Sequence, residues 1–143
     1  DEDERGVYLE YFEQVLETAR KGSYHSLGHL DVLKRYVPKR FRKFYASEYE
    51  EVVREILKTV IKRSRGIEVN TSGFRQGFGE PLPTVEVIKW YKELGGEIIT
   101  IGSDAHHVRH LGEGIREGLE IIRDLGFRGI YTYTKGQPSL VPF

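Results

Sequence analysis

The sequence predicts an α/β protein in which about four parallel strands alternate with helices. Short apolar runs rich in β-branched residues end abruptly in turn residues, which is typical of buried strands. Between these runs lie longer segments whose apolar residues recur at helical spacing. A strand followed by a helix, repeated along the chain, indicates parallel strands joined by right-handed crossovers.

The helices are predicted from their apolar stripes and from the signals at their ends. The first covers residues 4–21 and stops at a glycine. Ser47 followed by Glu50 has the form of a capping box that opens a second helix, to about residue 63. The third helix covers 84–94 and the fourth 112–125. Because no strand precedes the first helix, we expect the chain to be a truncated part of a larger arrangement.

The strands are predicted at 24–30, 66–70, 97–101 and 129–133. The basic, aromatic stretch from residue 34 to 45 contains a proline and is predicted to be a loop, and 71–75 is predicted to be an exposed continuation of the second strand. A closed barrel filled by side chains needs about eight strands. The chain therefore forms either a small open sheet or part of a barrel.

Composition and charge limit the function classes. Lys and Arg number 22, Asp and Glu also number 22, and the formal net charge is zero, so no global basic field favours a nucleic-acid partner. No apolar run approaches the length of a membrane span, and no signal peptide opens the sequence, which favours a cytoplasmic protein without a membrane partner. Since the chain has no cysteine, any metal must be held by His, Asp or Glu.

A candidate site follows the apolar strand at 97–101. This strand ends in Gly-Ser and is followed directly by Asp104 and, two positions later, by His106. If the backbone stays extended, both side chains point to the same side. A carboxylate and an imidazole that converge there are suitable ligands for a divalent metal. Asp104 could instead cap the segment that follows it.

Four segments of the chain together resemble the C-terminal half of the histidinol-phosphatases of the polymerase and histidinol phosphatase (PHP) superfamily. They are Leu-Gly-His-Leu-Asp at 27–31 with Lys-Arg-Tyr at 34–36, Ile-Glu-Val-Asn-Thr-Ser-Gly-Phe-Arg at 67–75, Gly-Gly at 95–96, and Gly-Ser-Asp-Ala-His at 102–106. The resemblance implies a distorted barrel of seven βα units. The chain, residues 1–143, would be a single partial domain made of the C-terminal units of that barrel.

The resemblance also implies an activity and assigns roles to residues. It implies a metal-dependent phosphomonoesterase that hydrolyses L-histidinol phosphate to L-histidinol and phosphate in histidine biosynthesis. Up to three divalent metals, Zn, Mn or Fe, would lie at the carboxyl ends of the strands, and a metal-activated water would be the nucleophile, with no catalytic side chain. His29, Asp104 and His106 would be metal ligands, while Arg35 and Arg75 would hold the substrate phosphate through their planar forks of donors.

The chain departs from the family pattern in the ligands that it lacks. The opening His-x-His motif and the other His and Glu ligands of the N-terminal half have no counterpart in it. One copy of the chain would therefore carry an incomplete site and be inactive alone. We expect it to pair with the missing N-terminal half or with a second copy.

Less specific interpretations stand beside these assignments. His29 could be a core histidine bonded to the backbone, and Arg35 could be a solvated charge within a basic loop. Glu68 is interpreted as structural, and Asp31 as orienting an imidazole or an arginine. The alternative function is a non-catalytic PHP-type module that acts in assembly or nucleic-acid processing. Its local support is the basic stretch 34–43.

Overall fold

The computed structural model describes residues 2–41 and 43–143, in which helices and strands alternate. The elements are, in chain order, α1 (Glu2–Lys21), β1 (Ser26–Leu27), α2 (Leu33–Tyr36), α3 (Glu50–Lys62), β2 (Gly66–Asn70), α4 (Ser72–Arg75), α5 (Val85–Glu93), β3 (Ile99–Gly102), α6 (Ile115–Asp124), β4 (Gly129–Thr134) and β5 (Gln137–Pro142). No helix within the described ranges is long and apolar enough to cross a membrane.

Three strands form the parallel sheet that the sequence predicts. β2 lies in the middle, with β1 on one side and β3 on the other. Alternation along the strands gives the sheet one apolar face, which includes Ile67 and Val69, both fully buried. The other face is polar: the Ser26 and Thr100 hydroxyls lie 2.8 Å apart across it, and Glu68 is on the same side. The carboxyl ends of all three strands meet at one edge.

The hydrophobic core lies between the apolar face of the sheet and the helices. The buried residues of α3 form a stripe at helical spacing that packs here, namely Val53, Ile56, Leu57 and Val60. An aromatic cluster of Tyr8, Phe12, Phe44 and Tyr49 closes one end, with ring centroids 5.2 to 6.4 Å apart. Rings at these separations bury large areas and add edge and stacking contacts. The cluster supports the segment that carries α2.

The fourth predicted strand pairs differently from the expectation. β4 forms where the sequence predicts it, but it pairs antiparallel with β5, which was not predicted, in a separate two-stranded sheet. Lys135 and Gly136 both have positive φ, 49° and 78°, and so form the two-residue turn of a tight hairpin. A two-residue turn allows only antiparallel pairing, because a parallel neighbour needs a long crossover. The prediction of four parallel strands is therefore wrong in number, since three strands are parallel among the described residues.

Several local predictions also differ from the structure. The segment 24–30 forms strand only at Ser26–Leu27, and the predicted loop 34–45 contains part of α2. Ser47 lies in a 3-10 turn (Ala46–Tyr49), and no side chain caps α3, so the capping-box prediction is wrong. Residues 71–75 are not an exposed continuation of β2, because residues 72–75 form α4 and residues 71–73 are buried. Asn70 and Leu82 exchange backbone hydrogen bonds, which close a loop that contains α4. The end of this loop packs against α4, because a Cβ atom on Gly73 would meet the carbonyl oxygen of Glu80.

Candidate functional site

The candidate site lies where β1 and β3 end, at the carboxyl edge of the parallel sheet. His29 follows β1 and has a φ of 22°, while Asp104 follows β3 and has a φ of 52°. Positive φ is uncommon for residues other than glycine, although aspartate tolerates it. Such backbone conformations concentrate at functional sites. Two of the three residues that the sequence predicts as ligands, His29 and Asp104, therefore lie at sharp turns of the chain.

Asp104 and His106 lie together, but not for the reason that the sequence suggested. β3 ends at Gly102 and the chain then leaves the extended conformation, so the prediction of a shared strand parity is wrong. Instead, the Nδ1 atom of His106 lies 2.9 Å from the carbonyl oxygen of Asp104 and 3.8 Å from its carboxylate. The His106 side chain is exposed. A histidine held at Nδ1 by a carbonyl oxygen presents Nε2 to a metal.

Arg35 is the centre of the polar contacts at this edge. Its Nη2 donates to the Asp104 carboxylate at 3.1 Å and to the Ser72 hydroxyl at 2.7 Å, and its Nε donates to the Gln76 side-chain oxygen at 2.9 Å. The side chains of Arg35 and Asp104 are only 18% and 23% exposed. Arg35 is therefore part of the site and is not a solvated surface charge.

The environment of Asp104 favours its ionised form. Burial by itself disfavours the carboxylate, but the hydrogen bonds from Arg35 and Asn70 outweigh burial and hold the pKa of Asp104 below its usual value. The side chain is therefore a carboxylate at neutral pH. This is the form that can bind a cation.

Arg75 lies on α4 and holds the loop in which Asp104 lies. Its Nη1 donates to the carbonyl oxygen of Ser103 and its Nη2 to that of Asp104, both at 2.7 Å. These contacts fix the backbone rather than a ligand. Each terminal nitrogen of an arginine carries two hydrogens, so donors remain for an anion. The phosphate-binding role of Arg75 stays a prediction.

The three predicted metal ligands suit a divalent metal by their chemistry, but their arrangement does not form a three-ligand group. Imidazole and carboxylate suit Zn, Mn or Fe. However, among residues 2–41 and 43–143 no three His, Asp or Glu side chains are grouped so that they could hold a metal ion. The described hydrogen bonds of His29 are made by its backbone: its N–H donates to Glu68 at 3.3 Å, and its carbonyl oxygen accepts from the Val32 N–H at 2.9 Å. The ligand roles of His29, Asp104 and His106 therefore stay predictions.

Sequence reasoning missed the polar residues that link the arginine to the middle strand. Asn70 donates to Glu68 at 2.9 Å and accepts from the Ser72 backbone N–H at 3.1 Å and from its hydroxyl at 2.5 Å. Ser72 in turn accepts from Arg35. The signal was present, because Asn70 ends a buried strand and Ser72 follows it, at the same edge as Asp104.

Asp31 and Lys34 form a buried ion pair beneath the site. The Asp31 carboxylate accepts from Lys34 Nζ at 2.9 Å and from the Thr84 backbone N–H at 3.0 Å, and it contacts neither an imidazole nor an arginine among the described residues. The prediction that Asp31 orients one of these groups is therefore wrong.

Lys34 is 2% exposed and Arg35 is paired, so two cations of the basic stretch 34–43 are not surface charges. Arg42 lies outside the described residues. The nucleic-acid alternative therefore loses part of its local support, while Lys39, Arg40 and Lys43 are exposed.

Comparisons with known proteins agree with the predicted resemblance. No family model matches the chain. A relative from Thermotoga maritima named "Probable histidinol-phosphatase" is 32% identical over 118 residues, which cover 82% of this chain and 48% of the relative. A histidinol-phosphatase from Lactococcus lactis is 30% identical, over 78% of this chain and 41% of its own length.

A solved structure is similar over nearly the whole chain. It is the histidinol phosphate phosphatase from Lactococcus lactis in complex with Zn, L-histidinol and phosphate, with a TM-score of 0.80 and 25% identity. The alignment covers 95% of this chain and 52% of that structure. The predicted resemblance to histidinol-phosphatases is thus confirmed, and the chain spans about half the length of the relatives that it matches.

Proposed function

We propose that this chain is the C-terminal part of a histidinol-phosphatase and forms one side of a metal-dependent site that hydrolyses L-histidinol phosphate to L-histidinol and phosphate. The main observation is the grouping of Arg35, Arg75, Asp104 and His106 at one edge of the parallel sheet. The similarity to relatives of that name supports the assignment.

The residues of the site suggest which side chains would bind the metal and which would bind the substrate phosphate. Asp104 and His106 would hold a divalent metal, Zn, Mn or Fe, with His29 as a further ligand. When bound, such a metal lowers the pKa of a water molecule and polarises a phosphoryl oxygen. Arg35 would bind the substrate phosphate with the planar fork that now contacts Asp104 and Ser72, and so neutralise negative charge on its oxygens. Arg75 would keep the Asp104 backbone in place for this step.

We further propose that the chain takes part in the seven-unit barrel that the resemblance implies, completed by an N-terminal half or by a second copy. Exposed apolar side chains near the site support this. Tyr36, next to Arg35, is 72% exposed, and Val108 and Leu111, beyond His106, are 91% and 79% exposed. Large apolar side chains grouped near a site mark a surface that another part of a protein covers.

The assembly can be tested by the mass of the isolated chain in solution. We expect light scattering after size exclusion to show a dimer or larger species, because burying these side chains removes apolar area from water. Adding the N-terminal half of a relative should replace this self-association by a one-to-one complex. A monodisperse monomer that binds no such half would contradict the proposal.

The activity is tested on the protein made from the complete reading frame that encodes this chain. We expect phosphate release from L-histidinol phosphate with Mn²⁺, Zn²⁺ or Fe²⁺ and its loss after chelation. Asp104→Asn should abolish most of the release, whereas Asp124→Asn, on the exposed end of α6, should leave it unchanged. If the protein releases no phosphate with any of these metals, the proposed function is wrong.

A further inference from the structure

The Glu68 carboxylate lies on the polar face of the sheet and has no role in the chemistry described so far. Glu68 belongs to β2, the middle strand, and is half-buried. Its Oε1 accepts hydrogen bonds from the His29 backbone N–H at 3.3 Å and from the Asn70 side chain at 2.9 Å. Asn70 is itself held by Ser72, so the carboxylate is fixed in position before any ligand arrives.

Two glycines leave the carboxylate uncovered. Gly28 follows β1 and Gly102 ends β3, so they flank Glu68 from the two neighbouring strands. A Cβ atom on Gly28 would lie 3.9 Å from Oε1, and one on Gly102 would lie 3.5 Å from Oε2. Any larger side chain at these positions would pack on the carboxylate. Glycine at both positions leaves space for a ligand group in contact with it.

The carboxylate lacks a cationic partner within the described part of the chain. No Lys, Arg or His side chain there makes an ion pair with Glu68, and its two donors are both neutral amides. A half-buried carboxylate without a counter-charge is costly unless a cation is bound there. By contrast, the neighbouring Asp104 is already paired with Arg35.

Opposite charges therefore lie at the two ends of one hydrogen-bonded chain. Arg35 is at one end, Asn70 and Ser72 are in the middle, and Glu68 is at the other end. A ligand that carries a phosphate and a cationic group a few bonds apart would match this arrangement. L-Histidinol phosphate is such a molecule, since its α-amino group is two carbons from the phosphate ester oxygen.

We infer that Glu68 is the specificity-determining residue that binds the α-ammonium group of the substrate amino alcohol, between Gly28 and Gly102. This inference rests on the proposed function and adds a subsite to it. The ammonium group donates to Oε2 while Oε1 stays bound to His29 and Asn70. Phosphate esters without an amino group lose this contact and are poorer ligands.

The test measures L-histidinol binding by calorimetry to the zinc-loaded protein from the complete reading frame. We expect Glu68→Gln to weaken L-histidinol binding at least about tenfold, because the amide keeps the shape but loses the charge. Affinities for inorganic phosphate and for 3-(imidazol-4-yl)propan-1-ol, which lacks the amino group, should change by less than about twofold. Glu97→Gln, an exposed surface carboxylate paired with Arg128, is the matched control and should change none of the three.

The other outcomes contradict either the subsite alone or the subsite together with the proposed function. If Glu68→Gln binds L-histidinol as tightly as the unchanged protein does, the subsite is wrong while the proposed function stands. The subsite is equally wrong if Glu68→Gln lowers the zinc content, since the carboxylate is then a metal ligand. If the unchanged protein binds neither L-histidinol nor phosphate, the proposed function fails together with the subsite.

Discussion

Replacing Lys34 by methionine is expected to cost about 3–5 kcal/mol of the free energy of unfolding, because it leaves Asp31 buried without its counter-charge. Methionine keeps nearly the length and volume of lysine, and it can maintain the contacts with the Phe44 and Phe78 rings, which Lys34 Nζ now approaches to 5.6 and 5.0 Å. The loss therefore reports the charge and not a cavity. Urea denaturation at pH 7 measures it.

The effect should depend on pH in a defined direction. Burial raises the pKa of the Asp31 carboxyl above its usual value, and the contacts with Lys34 and Thr84 only partly oppose this. A raised carboxyl pKa means that the native state binds more protons than the unfolded state, so ionising Asp31 costs stability as the pH rises. This cost is absent below the ordinary carboxyl pKa of about 4. Without Lys34 it grows, so the deficit of Lys34→Met is largest at neutral pH and shrinks on acidification.

Two further variants separate the ion pair from general damage. Asp31→Asn combined with Lys34→Met should recover most of the loss, since the amide is neutral and still accepts from the Thr84 N–H. Lys92→Met is the matched control: Lys92 Nζ lies 5.1 Å from the Phe127 ring but makes no ion pair within the described ranges, so at most about 1 kcal/mol is expected. An equal loss in the single and double variants, independent of pH, would contradict the interpretation.

The helices and strands with regularly spaced apolar residues were predicted well from the sequence, because the signals that predict them lie within each segment. β2 (Gly66–Asn70) matches the prediction residue for residue, and α5 and α6 agree with their predictions to within a few residues. Their apolar spacing and terminal glycines act within the segment itself. The number of parallel strands was not predictable in this way, because pairing β4 with β5 depends on a turn at Lys135 that carries no strong turn signal.

The candidate site was predicted in its members but not in its geometry. Sequence placed Arg35, Asp104 and His106 near one another through a resemblance, and their contacts agree with that. The predicted reason for the proximity of Asp104 and His106 was wrong. An aspartate can adopt either an extended backbone or a positive φ, so the residue type alone does not predict the φ of 52° at Asp104. The Asp31–Lys34 pair was missed since burial of charges depends on tertiary packing, here of Phe44 and Phe78.

Replacing Arg35 by lysine is expected to lower kcat/KM for L-histidinol phosphate by about 100-fold or more in the protein from the complete reading frame. Lysine keeps the charge but lacks the planar fork, and one ammonium group cannot bind Asp104, Ser72 and Gln76 in the directions that Arg35 uses. Loss of one preorganised donor to a reacting oxyanion typically costs about 10²–10³ in rate. Arg123→Lys, on an exposed face of α6, is the matched control and should leave kcat/KM unchanged.

A second measurement on the same residue tests the ion pair with Asp104. Arg35 helps to hold the pKa of Asp104 below its usual value in the folded protein. The ionised pair therefore stabilises the fold at pH values above the carboxyl pKa of the unfolded chain. This stabilisation is lost as the pH falls through the lower pKa of Asp104 in the folded state. Arg35→Met removes that contribution, so its stability deficit should be full near pH 7 and should diminish in acid. If Arg35→Lys retains full kcat/KM, the planar fork of Arg35 does not bind the phosphate. If the deficit of Arg35→Met is constant between pH 7 and acid, Arg35 does not control the ionisation of Asp104, and its contacts with that residue serve the fold alone.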